Sequence, residues 1–300
     1  MEVKKDEKVI VQSLIGKKQL TFYLRCLQSL IKHSQDDFDL HLHLDGSLSR
    51  EDVGIILSKL QGTKVNVSDS LENTSRVLDN LEGRPNCQRF RQKSIWAIEF
   101  FDPIFAFPDE SISFYLDADL LFIRPFSGLF DRDIVKKGAV FLQDTQWDAY
   151  CFRPMQLLIG DKKPRAVKGI TTGLAFWDKA AIDWDYLEWF LGAHHLHHIS
   201  EWIMPTAQAG LAVRSEAKTI RTEQITNLYP NAQILNETFG IHLLGSYRKE
   251  WVEKIDESKY SRYDHPDTRI TRFQECTKQN IFGFTLKQLR RWKNTRLNLW

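Results

Sequence analysis

Asp117 and Asp119, separated only by Ala118 at the end of the apolar run 111–116, are the residues whose type and spacing best suit chemistry. Two carboxylates at a strand end are costly to leave without partners. In an extended segment alternate side chains fall on one side, so both could hold one hard divalent cation and still meet a ribose or phosphate oxygen. A solvated Asp-Ala-Asp turn is the competing reading, because short motifs often arise by chance.

The elements around the pair have to place it. Val9–Ile15 is a short β-branched run that stops at Gly16, and Leu20, Tyr23, Leu24, Leu27 and Ile31 follow at helical spacing. Phe38, Leu40, Leu42 and Leu44 then alternate with Asp39, His41 and His43, a period-2 strand that ends at Asp45-Gly46-Ser47. Ser49 and Asp52 form a capping box ahead of the stripe Val53, Ile56, Leu57 and Leu60. Strand, helix, strand, helix predicts an α/β fold with a mostly parallel central sheet flanked by helices. Ligands of such sheets bind beyond the carboxyl ends of the strands, here near Ser13–Gly16 and near Asp45. Residues 61–92 read as a polar surface excursion, and 94–107 as one aromatic helix leading into the Asp117 segment.

Two known chemistries use such an aspartate pair. In the aspartyl-phosphate pattern the first Asp is a nucleophile near the start of the fold; here it lies far along the chain, Leu120 stands in the usual Thr/Val place, and no Asp-Asp doublet follows. The other is the D-x-D element of nucleotide-sugar transferases. From about residue 8 to 251 the sequence resembles the GT-A glycosyltransferases, and among them the glycogenin-like family 8. Phe114-Tyr-Leu-Asp-Ala-Asp-Leu-Leu-Phe-Ile-Arg-Pro-Phe126 resembles the strand with its D-x-D, and Gln92-Lys93-Ser-Ile-Trp-Ala-Ile98 falls where the family has a helix with a donor-contacting lysine. Ile170-Thr-Thr172-Gly173 is similar to the strand that lines the sugar pocket, and Thr206-Ala207-Gln208 falls where Gly-Asp-Gln-Gly is usual. Gly240-Ile-His242-Leu-Leu-Gly245-Ser-Tyr-Arg248-Lys249-Glu-Trp251 resembles His-x-x-Gly-x-x-Lys-Pro-Trp. Arg248 holds the lysine spacing while Lys249 and Trp251 come one residue late, so either cation can supply the phosphate contact; Ala207 replaces an Asp that the family places beside the donor sugar.

The resemblance implies a hexosyltransferase that moves a sugar from a nucleotide-diphosphate sugar, UDP by family expectation, to a glycan or lipid-linked hydroxyl with retention, as in polysaccharide biosynthesis. Asp117, Asp119 and His242 would hold Mn²⁺ or Mg²⁺, a set of two oxygens and a nitrogen that suits either ion, as Lewis acid for the leaving diphosphate. Lys93, Arg248 and Lys249 would add positive charge there. Gln12, Ser13 and Asp45 would cradle the nucleoside, Thr172 and Gly173 the sugar, with Gln208 and Gly245 completing the site. An inverting reaction on the same fold would need a base, for which Asp144, Asp148 and Glu201 are candidates. A catalytically silent sugar-nucleotide or glycan binder is the reading from outside enzymes.

His194, His195, His197 and His198 are read as polar residues at a helix end bordering the acceptor, rather than as a metal cluster. Trp96, Trp177 and Trp189 are expected in the core; Trp147 suits either a sugar face or the core.

The 300 residues carry 41 basic and 39 acidic side chains, 42% hydrophobic and 12% aromatic residues, which excludes disorder and gives no general reason to expect nucleic acid. Six basic residues and no acidic one lie in 278–300, leaving 35 against 39, a formal charge of −4, in residues 1–277. Domain boundaries are expected at 1–255 for the transferase and 256–300 for a basic, amphipathic, helical C-terminal extension. That extension either packs its Leu/Trp stripe on the body or lies on an anionic membrane. Four widely spaced cysteines, a charged start without an apolar core and no span of about 20 apolar residues lead to an expectation of cytoplasmic location, with peripheral contact at the inner face of a membrane.

Overall fold

The computed structural model describes residues 8–144, 152, 166–192, 201–229, 231–245, 248, 255, 268–269, 273–275, 286 and 289. The β-branched and alternating runs form strands where expected: β1 (Val9–Ile15) and β2 (Phe38–Leu44) pair in parallel over their full length, with α1 (Leu20–His33) between them. Ser49 accepts from the Asp52 amide and Asp52 answers the Ser49 amide, which starts α2 (Arg50–Lys59) at the expected capping box.

The expected polar excursion is instead structured. It contains β3 (Val65–Asp69), α3 (Thr74–Asn80) and α4 (Pro85–Lys93). Its weak periodicity has a physical cause: β3 is an edge strand half-buried throughout, and Arg91, buried by a bidentate ion pair with Asp102, hides a core face behind a charge. The single helix expected over 94–107 starts after the extended Ser94 as a 3₁₀ turn at Ile95–Ala97 and continues as α5 (Ile98–Ala106). Trp96, expected in the core, is 37% exposed on that turn, whereas Trp177 is buried and Trp189 is partly buried against the core.

β4 (Ile112–Leu116), β5 (Leu120–Phe122), β6 (Phe126–Ser127), α6 (Arg132–Val135), β7 (Ala139–Gln143), β8 (Ile170–Asp178), α7 (Trp184–Gly192), α8 (Ile203–Ala212), β9 (Lys218–Ile220), β10 (Ile225–Asn227) and β11 (Gly240–His242) follow. Beyond the expected boundary at 255, β12 (Thr268–Arg269) pairs with β6 and β13 (Phe273–Glu275) pairs with β9. The eight-stranded sheet has the order β13-β9-β7-β8-β4-β1-β2-β3, with the parallel block β4-β1-β2-β3 and a fourth parallel pair, β7-β9. Buried side chains cover both faces, one set led by Phe90, Phe101, Trp177 and Phe190 and the other by Val11, Leu40, Phe114 and Phe176. A small sheet, β10-β11-β5, lies beyond the carboxyl end of β4 and determines the site.

Candidate functional site

β4 ends at Leu116, and Asp117-Ala118-Asp119 turns directly into β5, with the Leu120 amide donating to the Asp117 carbonyl at 3.2 Å. The pair therefore does not sit on an extended segment as expected. The tight turn brings the carboxylates together by folding back. β5 pairs antiparallel with β11 so that Leu120 lies opposite His242, and the Leu243 amide donates to the Asp119 carbonyl at 3.1 Å. This pairing brings His242 Nε2 to 3.3 Å from Asp119 Oδ1 and 4.0 Å from Asp117 Oδ2. One ligand atom from each of Asp117, Asp119 and His242 lies within 4.8 Å of the others.

Each of the three is held from outside. Asn227 lies opposite His242 in the parallel β10–β11 pair; its Oδ1 is 2.8 Å from His242 Nδ1 and its Nδ2 donates to the Gln143 carbonyl at 2.9 Å. The amide orientation makes His242 Nδ1 the protonated nitrogen and turns the Nε2 lone pair towards the aspartates. The register of β7 and β8 jumps from Phe141–Ala175 to Leu142–Thr171, a bulge containing Thr172 and Gly173. The Gly173 carbonyl accepts from the Asp117 amide at 2.8 Å, and a Cβ on Gly173 would stand 2.4 Å from His242 Cε1. Only glycine lets the imidazole lie this close to the strand. The Tyr115 hydroxyl donates to Asp117 Oδ1 at 2.9 Å, and Arg248 pairs with Asp119 Oδ2 while its guanidinium lies over the rings of Phe22 and Tyr23.

The two carboxyls diverge electrostatically. Burial and the Asp119 charge push Asp117 up to about 7. Burial also opposes the Asp119 charge, but His242 and Arg248 outweigh it and hold that carboxyl below its ordinary value. For His242 burial opposes protonation, and Asp119 followed by Asp117 reverse the balance and raise it. The residues fit a divalent cation. Asp119 Oδ1 is buried without a hydrogen bond, and it faces the Nε2 lone pair at 3.3 Å. The gap accommodates one positive charge, either a proton on Nε2 or a divalent ion held by both groups.

No protein-family model matches the sequence, and no curated protein matches it. Among solved structures, mouse xyloside xylosyltransferase 1 in its apo form superposes with a TM-score of 0.51 at 13% identity, covering 88% of this chain and 97% of that one. The galactosyltransferase LgtC, in complex with donor and acceptor sugar analogues, gives 0.50 at 12% identity, covering 84% and 94%. The chain has the GT-A fold.

In the GT-A frame the remaining expected residues separate into three groups. Thr172 and Gly173 border Asp117 and His242 through the bulge, and Arg248, of the two cations left open, stands on Asp119. Asp45 lies at the carboxyl end of β2, its Oδ1 accepting from the Ser47 amide at 2.9 Å and its carboxylate packed against Gly16. Lys93 ends α4 and is exposed, Gly245 lies in an exposed turn, and Asp144 accepts from the Tyr229 hydroxyl at 2.8 Å while its charge reaches His242.

The second group faces inward. Gln12 donates to the Pro103 carbonyl and Ser113 Oγ and meets His43 Nε2 at 3.0 Å, so its amide ties β1 to β2, β4 and α5. Ser13 is buried beside it, and Gln208 Oε1 accepts from the Trp177 indole at 3.0 Å inside α8. Glu201, by contrast, is exposed ahead of α8. The third group, Asp148, Lys249, Trp147 and the histidines 194, 195, 197 and 198, lies outside the described residues. Asn227 and Tyr115, which bond His242 and Asp117, and Glu99, which feels the Asp117 charge, were not anticipated. For Asn227 the only sequence signal was its place in a short β-branched run before the His-x-x-Gly element.

Proposed function

We propose that the protein is a metal-dependent glycosyltransferase that takes a sugar from a UDP-sugar and delivers it to a glycan or lipid-linked hydroxyl. The observation that carries this reading is the buried, hydrogen-bond-free Asp119 Oδ1 facing His242 Nε2 beyond the carboxyl end of a GT-A sheet. Asp117, Asp119 and His242 would hold Mn²⁺ or Mg²⁺, which supplies Lewis-acid stabilisation of the departing diphosphate. Asn227 keeps the imidazole in its ligating tautomer, and Gly173 keeps it in place. Arg248, with Lys93 and Lys249, offers positive charge to the phosphates, and Asp45 offers a carboxylate to the nucleoside.

The acceptor hydroxyl attacks from the face that the diphosphate leaves, and the donor phosphate accepts its proton, so configuration is retained without a protein base. Asp144 supports the second reading, inversion, because its charge reaches His242, whereas Glu201 is exposed. Residues 1–255 would form the transferase domain and 256–300 a basic C-terminal extension. The basic tail 278–300 would contact an anionic membrane; its two described positions, Leu286 and Leu289, are helical and exposed. Among the described residues no helix is long and apolar enough to cross a membrane.

The test is a panel of nucleotide sugars with Mn²⁺ or Mg²⁺, read by release of nucleotide, with NMR of the product anomer deciding between retention and inversion. Asp117→Ala, Asp119→Ala and His242→Ala should each lower turnover at least 100-fold. Unchanged turnover in all three would refute the site, and donor binding without turnover over a broad acceptor panel would favour a silent binder.

A further inference from the structure

Glu99 is a third carboxyl group at the site, and nothing so far gives it a task. It lies in the first turn of α5, the helix that leads into β4 and packs on β1 and β4. A helix that returns to feed a strand of its own sheet runs antiparallel to that strand, so the first turn of α5 stands at the end where β4 delivers Asp117. The electrostatics agree with that placement. Burial holds the proton on Glu99 well beyond the ordinary carboxyl range, and Asp117 and then Asp119 add to the effect. Glu99 in turn is felt by Tyr23, which carries the ring under Arg248, and by Tyr115, which bonds Asp117.

A structural acid in such a place has a cation. Asp102, one turn further along the same helix, has Arg91 at 2.6 Å. Glu99 has neither hydrogen bond nor ion pair among the described residues, and Arg248 is committed to Asp119. Its side chain is partly open to solvent. Trp96, three residues earlier in the 3₁₀ turn that leads into α5, is 37% exposed, and residues three apart along a helical path fall on neighbouring positions of one face. An aromatic face beside a carboxyl suits a polyhydroxylated ring: the indole meets C–H groups, and the carboxyl exchanges hydrogen bonds with hydroxyls. A neutral ligand of this kind satisfies Glu99 without adding a fourth charge to a crowded field.

We propose that Glu99 hydrogen-bonds a hydroxyl of the sugar being transferred and so helps select the donor sugar. This inference rests on the glycosyltransferase reading. It makes Glu99 a sugar-contacting residue beside the cation site and separate from it.

The test is calorimetric binding, to the full chain with Mn²⁺, of UDP and of the UDP-hexose that binds best among the glucose, galactose, N-acetylglucosamine and xylose nucleotides. The quantity read is the ratio of the two affinities in wild type, Glu99→Gln and Glu99→Ala. Loss of one hydrogen bond to a carboxyl predicts about a tenfold shift of the ratio against the sugar nucleotide in Glu99→Ala. The shift should be smaller in Glu99→Gln, whose amide still bonds hydroxyls, and UDP affinity should stay within about twofold in both. A ratio that stays constant, whether both affinities fall together or neither moves, overturns the proposal. Wild-type protein that binds no nucleotide or nucleotide sugar overturns the glycosyltransferase reading itself, and this inference with it. Unchanged UDP binding in the variants shows that they are folded.

Discussion

Gly173→Ala is the most demanding test of the site, because it changes no charge and no ligand. The new Cβ would lie 2.4 Å from His242 Cε1, 2.6 Å from Nε2 and 2.9 Å from Nδ1. Ordinary carbon contacts begin at about 3.4 Å, so the ring must withdraw by roughly 1 Å. It cannot do so freely, since Nδ1 is tied to Asn227 at 2.8 Å and Asn227 is tied to Gln143. Either the ring moves and the Asn227 bond breaks, or the β8 bulge moves and pulls the Asp117 amide with it. Overpacking of this kind costs about 1–3 kcal/mol of stability. Metal–ligand distances tolerate only about 0.2 Å, so Mn²⁺ affinity should fall by roughly 100-fold, more than the loss of stability alone suggests. Titration of Mn²⁺ in the presence of UDP, followed by calorimetry or the electron-spin signal of free Mn²⁺, measures this directly, with thermal melting alongside. A Gly173→Ala protein that binds Mn²⁺ like wild type would show that His242 is not a ligand in this position.

Three further outcomes are expected. Asn227→Ala frees the His242 tautomer and should weaken Mn²⁺ binding by about 10- to 100-fold with the fold intact, measured by the same titration. Asp102→Ala leaves Arg91 buried, 4% exposed, without its counter-charge, and should lower stability by about 3–5 kcal/mol in urea unfolding. Burial lowers His41 to about 4 and, together with His41, lowers His43 as well. A depressed histidine is neutral when folded but takes a proton when unfolded, so stability is lost as pH falls from about 6.5 towards 4. Between pH 6.5 and 5 His41 alone contributes about 2 kcal/mol, and His41→Gln should flatten the unfolding profile by about that amount; identical slopes for the two proteins would refute it.

Much of the frame was legible because it rests on local patterns. The alternation in Phe38–Leu44 and the Ser49–Asp52 capping box each specify their element within a few residues, and both appear where expected. Asp117 and Asp119 were legible from residue type and spacing and His242 through the family resemblance, and the structure brings the three together although His242 lies 123 positions after Asp119. What stayed hidden depends on non-local geometry. Asn227 is ordinary until β10 pairs with β11, and Glu99 reads as a first-turn helix acid until α5 packs on β1 and β4 and the charge of Asp117 reaches it. Placing the nucleoside at the end of β1 did not anticipate that its pairing with β2 and β4 turns Gln12 into an interior tie among His43, Ser113 and Pro103.

Arg248 has a consequence of its own. Its guanidinium rests on two aromatic rings and grips the same carboxylate that a divalent ion would require. Two positive partners that draw on one anion are rivals, and each weakens the other's hold. On the proposed reading, a nucleotide diphosphate would bring fresh negative charge onto which Arg248 could transfer, freeing Asp119 for the ion. By thermodynamic reciprocity, whatever the nucleotide did for the ion's affinity the ion would do for the nucleotide's, so on this reading the two would assemble as a cooperative pair.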